Sequence, residues 1–569
     1  MKKQKRQQQT KPAPQAAPPR RPNWRPGWWQ GLVALTGLVV ALGVYSPALN
    51  GAFVLDDRYL PFMDPNAAAR TFFNWVSGLR PLLYLSFWAD YRINETAPYG
   101  YHVTNVLLHF LTSLIMVLVA AKLLEWAGVK GIERTLLSAF AGALFLLHPV
   151  QTESVAYVAS RSEVLSVFFY FAAFAVFIYR NSESMTVWRA LAIVALFGAA
   201  VATKEHTLTL PLLVVLTDYF WSRGAVRKNG ILYGLMMLAG AGGALVVWRV
   251  LRGANTAGFG MSDLPPLTYF FTQCRVIWTY VRMFILPYGQ NADPDVALSP
   301  RVLDHGAIVG LIALVAAVAA AWIYRKRWPL ASFGVLTFIL LLAPTSSVVP
   351  IRDVLAERRL YLPFLGLVLV CLEFLRRLRP RHAAWVCAAA IALCAELTYQ
   401  RSQVWASALA LWEDTVAKSP QKFRPRFQLA YALYEENRCP EAVQSYETAS
   451  HLGPYDDQLL IDWGLALECA GRPNDAIDKL RLAASIRNTA HVHALIGMVY
   501  GKGSRNPEAL DELAEAEKLN PGFDMTYVYR GNVYESSGNR PQAAREYQRA
   551  LAANPLNQAA RDALARVSR

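Results

Sequence analysis

The chain has 569 residues, 54% of them hydrophobic and 17% charged, against about 25% charged in an average soluble domain, so membrane spans are expected. Its formal charge of +16 is uneven: residues 1–25 carry eight Lys or Arg and no acid, 26–400 carry 29 bases against 20 acids, and 401–569 carry 20 against 21. No soluble basic face with a recognition motif accompanies this charge, which excludes nucleic-acid binding.

Residues 1–28 read as a disordered basic tail, too rich in Lys, Arg, Gln and Pro to bury a core. The apolar run from Trp29 to Leu49 follows, with Trp24, Trp28 and Trp29 where an interfacial aromatic belt sits. The long Pro-rich lead and the lack of a small-residue cleavage site favour a retained anchor over a cleaved signal.

Further apolar stretches, near the ~20 residues a bilayer requires, centre on 102–124, 135–150, 163–180, 188–203, 206–221, 230–250, 303–324, 330–345, 359–375 and 383–399. With the anchor they predict eleven spans. The segment 268–287 is apolar too, but Arg275 and Arg282 share one helical face. Were it a span, the clusters Arg325, Lys326, Arg327 and Arg376, Arg377, Arg379, Arg381 would fall outside, against the positive-inside rule. It is therefore expected as an amphipathic interfacial helix on the outer side. The tail then lies in the cytoplasm and the carboxyl-terminal part outside, the periplasm if the chain is bacterial.

Four clusters of ionisable residues fall on that outer side. The first outer loop, 50–101, opens with Asp56, Asp57 and Arg58. These form either a polar turn or a carboxylate placed to take a proton from an acceptor hydroxyl. His148 and Pro149 end the third span, and Glu153, Arg161 and Glu163 follow. Pairs such as Glu153–Arg161 or Arg161–Glu163 would merely fix the loop; otherwise ionisable groups this close to hydrocarbon are functional. Lys204, Glu205 and His206 form a third cluster. Arg352, Asp353, Glu357, Arg358, Arg359 and Tyr361 form the fourth. Carboxylates beside several Arg and Lys at one membrane face suit a polyprenyl-phosphate substrate, with the base activating an acceptor and the cations stabilising the departing phosphate. No metal motif has convincing spacing, although an acidic pair is able to hold a divalent cation.

From about residue 401 the chain repeats. Ala408, Ala442, Ala476, Ala509 and Ala543 recur every 33 or 34 residues, as do Ala430, Gly464, Gly497 and Gly531. Pro420, Pro454, Pro521 and Pro555 close units, with Asn488 in place of one proline. This period and these small residues predict an α-solenoid of tetratricopeptide repeats. The six cysteines show no metal spacing and no disulfide framework. Cys439 and Cys469 fall near turns of consecutive repeats, where one bridge is open to them if the array is extracytoplasmic and their Cα atoms lie within about 7 Å.

The stretches FVLDDR, RPLLYLSFWADYRI with GYHVTNVLLHFLTS, FLLHPVQTESVAYVASRSEVLS, ATKEHTLTLPLLVVLTDY and AERRLYLP, followed by the repeats, resemble the transmembrane O-mannosyltransferases that carry tetratricopeptide repeats, and their bacterial relatives. The resemblance covers nearly everything from residue 30 onward. It implies a C-type glycosyltransferase fold, all-α and polytopic, acting on a polyprenyl-phosphate monosaccharide. By it, Asp56 and Asp57 supply the catalytic carboxylate, with the base left open between them, and LPYGQNADPD matches a region of uncertain role.

The leading expectation is a membrane transferase of residues 29–400 that moves a mannose-like sugar to Ser/Thr hydroxyls of exported proteins bound by repeats in 401–569. A second keeps the donor but sends the sugar to a lipid or envelope glycan. A third is a non-enzymatic repeat scaffold.

Overall fold

The computed structural model describes residues 28–180, 184–222, 228–252 and 257–569. Apart from Trp28 the expected basic tail lies outside these, as do Arg223 and Arg227 between the expected spans 206–221 and 230–250. Among the described residues regular structure is helical, with one isolated antiparallel bridge between Ala257 and Ile351.

From the amino end come α1 (Trp28–Tyr45), the outer-loop helices α2 (Phe72–Val76) and α3 (Pro81–Asn94), then α4 (Pro98–Trp126), α5 (Gly131–Leu147), the short α6 (Thr152–Ala156), α7 (Arg161–Ile178), α8 (Val187–Val201), α9 (Leu210–Trp221) and α10 (Gly230–Leu251). After these follow α11 (Pro266–Ile285), α12 (Ala307–Ile323), α13 (Pro329–Leu342), α14 (Phe364–Leu375) and α15 (Pro380–Val404). Proline opens α3, α4, α11, α13 and α15, where its missing N–H and fixed φ cost the helix nothing.

Every expected apolar stretch is helical. Among the described residues five helices are long and apolar enough to cross a membrane, or six if the limbs on either side of His148, bent by 47°, count as one span. That marks a multi-pass membrane protein, with fewer full-length spans than the eleven expected. The reason is helix length: α13 and α14 have 14 and 12 residues, which reach about 21 and 18 Å against a hydrocarbon core of about 30 Å.

The bundle is centred on α7. In its apolar window 72% of residues are buried, against 11% for the window that includes α12, so α12 is peripheral. α11 is not among the helices that qualify as spans. One face of it is buried, and from that face Tyr269, Gln273 and Tyr280 donate to the carbonyls of Thr345, Val354 and Ala356 at 2.6, 2.8 and 3.1 Å. At one end of the bundle Glu373 is fully buried, accepts from the Leu330 N–H at 2.8 Å and pairs with Arg376 and Arg377. The four ionisable clusters gather at the other end.

The carboxyl-terminal helices are α16 (Ala408–Lys418), α17 (Phe423–Glu435), α18 (Cys439–Ser450), α19 (Asp457–Cys469), α20 (Pro473–Ile486), α21 (Ala490–Lys502), α22 (Asn506–Leu519), α23 (Asp524–Ser536), α24 (Arg540–Ala553) and α25 (Gln558–Val567). From α17 onward they pair as antiparallel hairpins. The periodic small residues are where paired helices touch. A Cβ on Gly464, Gly497 or Gly531 would come within 2.9, 2.7 and 2.5 Å of Leu480, Leu513 and Tyr547, and Ala442, Ala476, Ala509 and Ala543 are fully buried. Stacking thus buries a continuous core that one hairpin could not. Cys439 and Cys469 form a disulfide between adjacent hairpins, with Cα atoms 5.8 Å apart; the helix crossing brings together two residues whose sequence spacing left the bridge conditional.

Candidate active site

Leu55–Tyr59 form a 3₁₀ turn just beyond α1. Asp57 turns inward and is fully buried: Oδ2 accepts from the Val54 N–H at 3.1 Å and Oδ1 from the Ala159 N–H at 2.6 Å. Burial pushes its carboxyl up to about 7, against the pull of these amides. Asp56 is exposed, and its N–H donates to the Tyr157 hydroxyl at 2.9 Å. The adjacent acids therefore divide. Asp57 pins the turn to the segment before α7, while Asp56 presents a carboxylate. Arg58 lies 4.7 Å from the ring centre of Tyr431 on α17, so it faces the repeats. Among the described residues no three His, Cys, Asp or Glu side chains gather as a metal set.

Glu153, at the start of α6, is buried against Arg358: one oxygen pairs with the guanidinium and the other accepts the Arg358 N–H at 3.0 Å. A second contact ties Arg358 to Asp353 at 3.4 Å, and its guanidinium sits 5.8 Å from the Tyr157 ring centre. Arg358 keeps a fifth of its side chain exposed. A guanidinium so held has donors left for an oxyanion.

Glu163, buried at the start of α7, meets Lys204 Nζ at 2.5 Å and His206 Nε2 at 3.4 Å. Burial pushes the Lys204 ammonium down, Glu163 opposes this, and Arg80 and Arg358 add to it. Glu205 takes a bidentate fork from Arg80, Nε donating to Oε1 at 3.0 Å and Nη2 to Oε2 at 2.9 Å. Burial works to raise that carboxyl, but Arg80 brings it below the usual range. Asp56, Glu153, Glu163, Lys204, Glu205 and Arg358 thus occupy one end of the bundle together.

Four expected binding residues point elsewhere. Arg161 is fully buried and pairs with Asp90 at 2.6 Å, while donating to Asn105 Oδ1 at 2.8 Å and the Tyr101 carbonyl at 2.9 Å. Its partner is on α3, so neither Glu153 nor Glu163 pairs with it; each acid instead finds a cation from a distant loop. His148 is locked in place, Nε2 donating to the Phe284 carbonyl at 3.0 Å while Nδ1 accepts the Val150 N–H at 3.3 Å. Arg359 spends its donors on the carbonyls of Asp353, Val354 and Thr345 and on Tyr269. Tyr361 lies in the bundle core, 2.8 Å from His109 Nδ1. Sequence reasoning missed Tyr157 and Arg80, although both lie within or beside the motifs that carried the resemblance.

The fold and this site define a multi-pass helical membrane protein whose charged end is joined to a helical-repeat array. No protein-family model matches the chain. Over 544 residues, 83% of this chain, it is 25% identical to mouse Protein O-mannosyl-transferase TMTC3 and 24% identical to the human protein of that name, covering 56% and 57% of them. A shorter match, 33% identical over 222 residues, covers 36% of this chain and 24% of Drosophila melanogaster Protein O-mannosyl-transferase Tmtc1. This chain is a distant homologue of the protein O-mannosyl-transferases over most of its length, and spans a little over half the length of those first relatives. Among solved structures, the thermophilic repeat protein TTC0263 of Thermus thermophilus is 19% identical with a TM-score of 0.26, covering 31% of this chain and 94% of that one. The repeat protein YrrB is 20% identical with a TM-score of 0.23, covering 27% and 80%.

Proposed function

We propose that this protein is an integral-membrane glycosyltransferase that moves one mannose-like sugar from a polyprenyl-phosphate donor to Ser or Thr hydroxyls of exported proteins. The observation that carries this reading is the exposed carboxylate of Asp56, whose backbone N–H donates to the Tyr157 hydroxyl, on the same ring that the partly exposed Arg358 guanidinium approaches to 5.8 Å. In the reaction Asp56 takes the proton of the acceptor hydroxyl as its oxygen attacks the anomeric carbon. The bond from that carbon to the phosphate oxygen breaks, its electron pair leaves with the phosphate, and the sugar inverts. Arg358, with Lys204 behind it, stabilises the leaving phosphate.

In this reading residues 29–400 form the transferase domain, with outer loop 50–101 and the interfacial helix 268–287, and residues 401–569 the acceptor-binding array. Eleven crossings, the shorter ones completed by flanking loops, put the tail in the cytoplasm and the site and repeats in the periplasm. The Cys439–Cys469 disulfide supports that side, since such bonds persist in oxidising compartments.

The test is a reconstituted assay with a synthetic polyprenyl-phosphate mannose and a Ser/Thr peptide. Transfer that is lost in Asp56→Asn supports the assignment; no transfer by the parent chain, or full activity of the variant, overturns it.

A further inference from the structure

The repeats do more than stand beside the bundle. Arg424, the second residue of α17, forks onto the buried Asp293 with contacts of 2.5 Å, and its Nη2 also reaches Asp353 Oδ1 at 2.9 Å. The other oxygen of Asp353 faces Arg358, so a charge relay runs from the first repeat hairpin to the cation beside Tyr157. The stretch 290–295, whose role the sequence left unassigned, is clamped between the two parts. Asn291 donates from its backbone to the Glu357 carboxylate at 2.5 Å and from its side chain to Ser419 Oγ at 2.8 Å. Lys418 donates to the Gln290 carbonyl at 2.7 Å, and Lys422 pairs with Asp293 at 2.5 Å.

The Asp56 turn is held from the same side. Leu55 has a φ of +53°, a left-handed conformation that a branched side chain adopts only when its surroundings over-determine it. Its side chain packs against the hydrophobic core of the repeats and against the cluster that contains Trp405 and Leu411. Three residues on, Arg58 stacks on Tyr431. Leu55 and Arg58, on either side of the Asp56–Asp57 pair, therefore both rest on the repeat array.

We propose that the first repeat hairpin is a structural part of the active site: Arg424, through Asp353, positions Arg358, while the packing of Leu55 and the Arg58–Tyr431 contact hold Asp56 in its exposed conformation. This rests on the assignment of Asp56 and Arg358 above. Arg424 is a positioning residue, since it reaches the reacting groups only through Asp353. An array that merely captured acceptor would need none of these contacts.

The test compares full-length protein in lipid nanodiscs with Arg424→Ala, Arg424→Lys and Asp353→Asn, the last leaving the repeats untouched. Hydrogen–deuterium exchange of 53–60 and 351–360 is expected to rise in Arg424→Ala and Asp353→Asn, with the melting of the repeats unchanged. With a Ser/Thr peptide too short to reach beyond the first hairpin, kcat should fall about tenfold or more in both, as misplacement of reacting groups does, with acceptor KM unchanged and partial recovery in Arg424→Lys. Unchanged exchange in both variants overturns the inference whether or not the parent chain transfers sugar, and so does a change confined to acceptor KM. Raised exchange together with an inactive parent chain leaves the positioning intact and removes only the proposed reaction.

Discussion

Asp56 and Asp57 are neighbours that face opposite ways: the Asp57 oxygens accept from two buried backbone amides, Val54 in its own turn and Ala159 before α7, and Asp56 stands exposed. Substitution should separate them. Asp56→Asn is expected to lower transfer by about 10²–10⁴-fold, the range for loss of a general base, without moving the melting temperature. Asp57→Asn places an amide NH₂ against a backbone N–H, and should destabilise the protein by about 1–3 kcal/mol through that unsatisfied donor, measured as a lower melting temperature.

The buried Asp57 also predicts a pH dependence. Its acid is pushed from 3.8 up to about 7, so across that window the folded protein holds a proton that the unfolded chain releases. Stability therefore falls as pH rises from 3.8 to about 7 and levels off above it. Unfolding midpoints measured across this range should show the decline, and Asp57→Asn should flatten it.

Arg161 and Arg358 are expected to behave differently. Arg161→Met leaves the Asp90 carboxylate buried and unpaired, a loss of about 3–5 kcal/mol, read as poor yield and early melting with donor affinity preserved in what folds. Arg358→Lys keeps a charge but loses the fork, and should cost donor turnover the equivalent of one charge-assisted hydrogen bond, about 1.5–3 kcal/mol, in steady-state kinetics.

The disulfide makes a prediction about compartment as well as stability. On a non-reducing gel after alkylation, Cys439 and Cys469 should be protected while Cys274, Cys371, Cys387 and Cys394 remain thiols. Cys439→Ser should lower the stability of the repeats by about 2–4 kcal/mol, seen as an earlier melt that reductant no longer shifts.

Legibility in the sequence followed local physics. Helix placement could be read because apolar runs bury or insert whatever their neighbours, and the repeat array because Gly464, Gly497 and Gly531 recur at the helix crossings that require them. Full crossing by each helix could not be read, since a run of apolar residues does not say where the helix within it ends. The four charged clusters could be grouped because each lies in a connection between apolar runs, and the folded chain brings them to one end of the bundle.

Partner choice within those clusters was a matter of tertiary structure alone. Glu153 takes Arg358 from 205 residues away, and Arg161 takes Asp90 from another helix. Buried charges pair with whatever opposite charge the packing delivers, not with the nearest in sequence. For the same reason only the folded chain distinguishes Asp56 from Asp57, through a Tyr157 hydroxyl and an Ala159 amide about a hundred residues on, and only the folded chain brings Arg424 to Asp353.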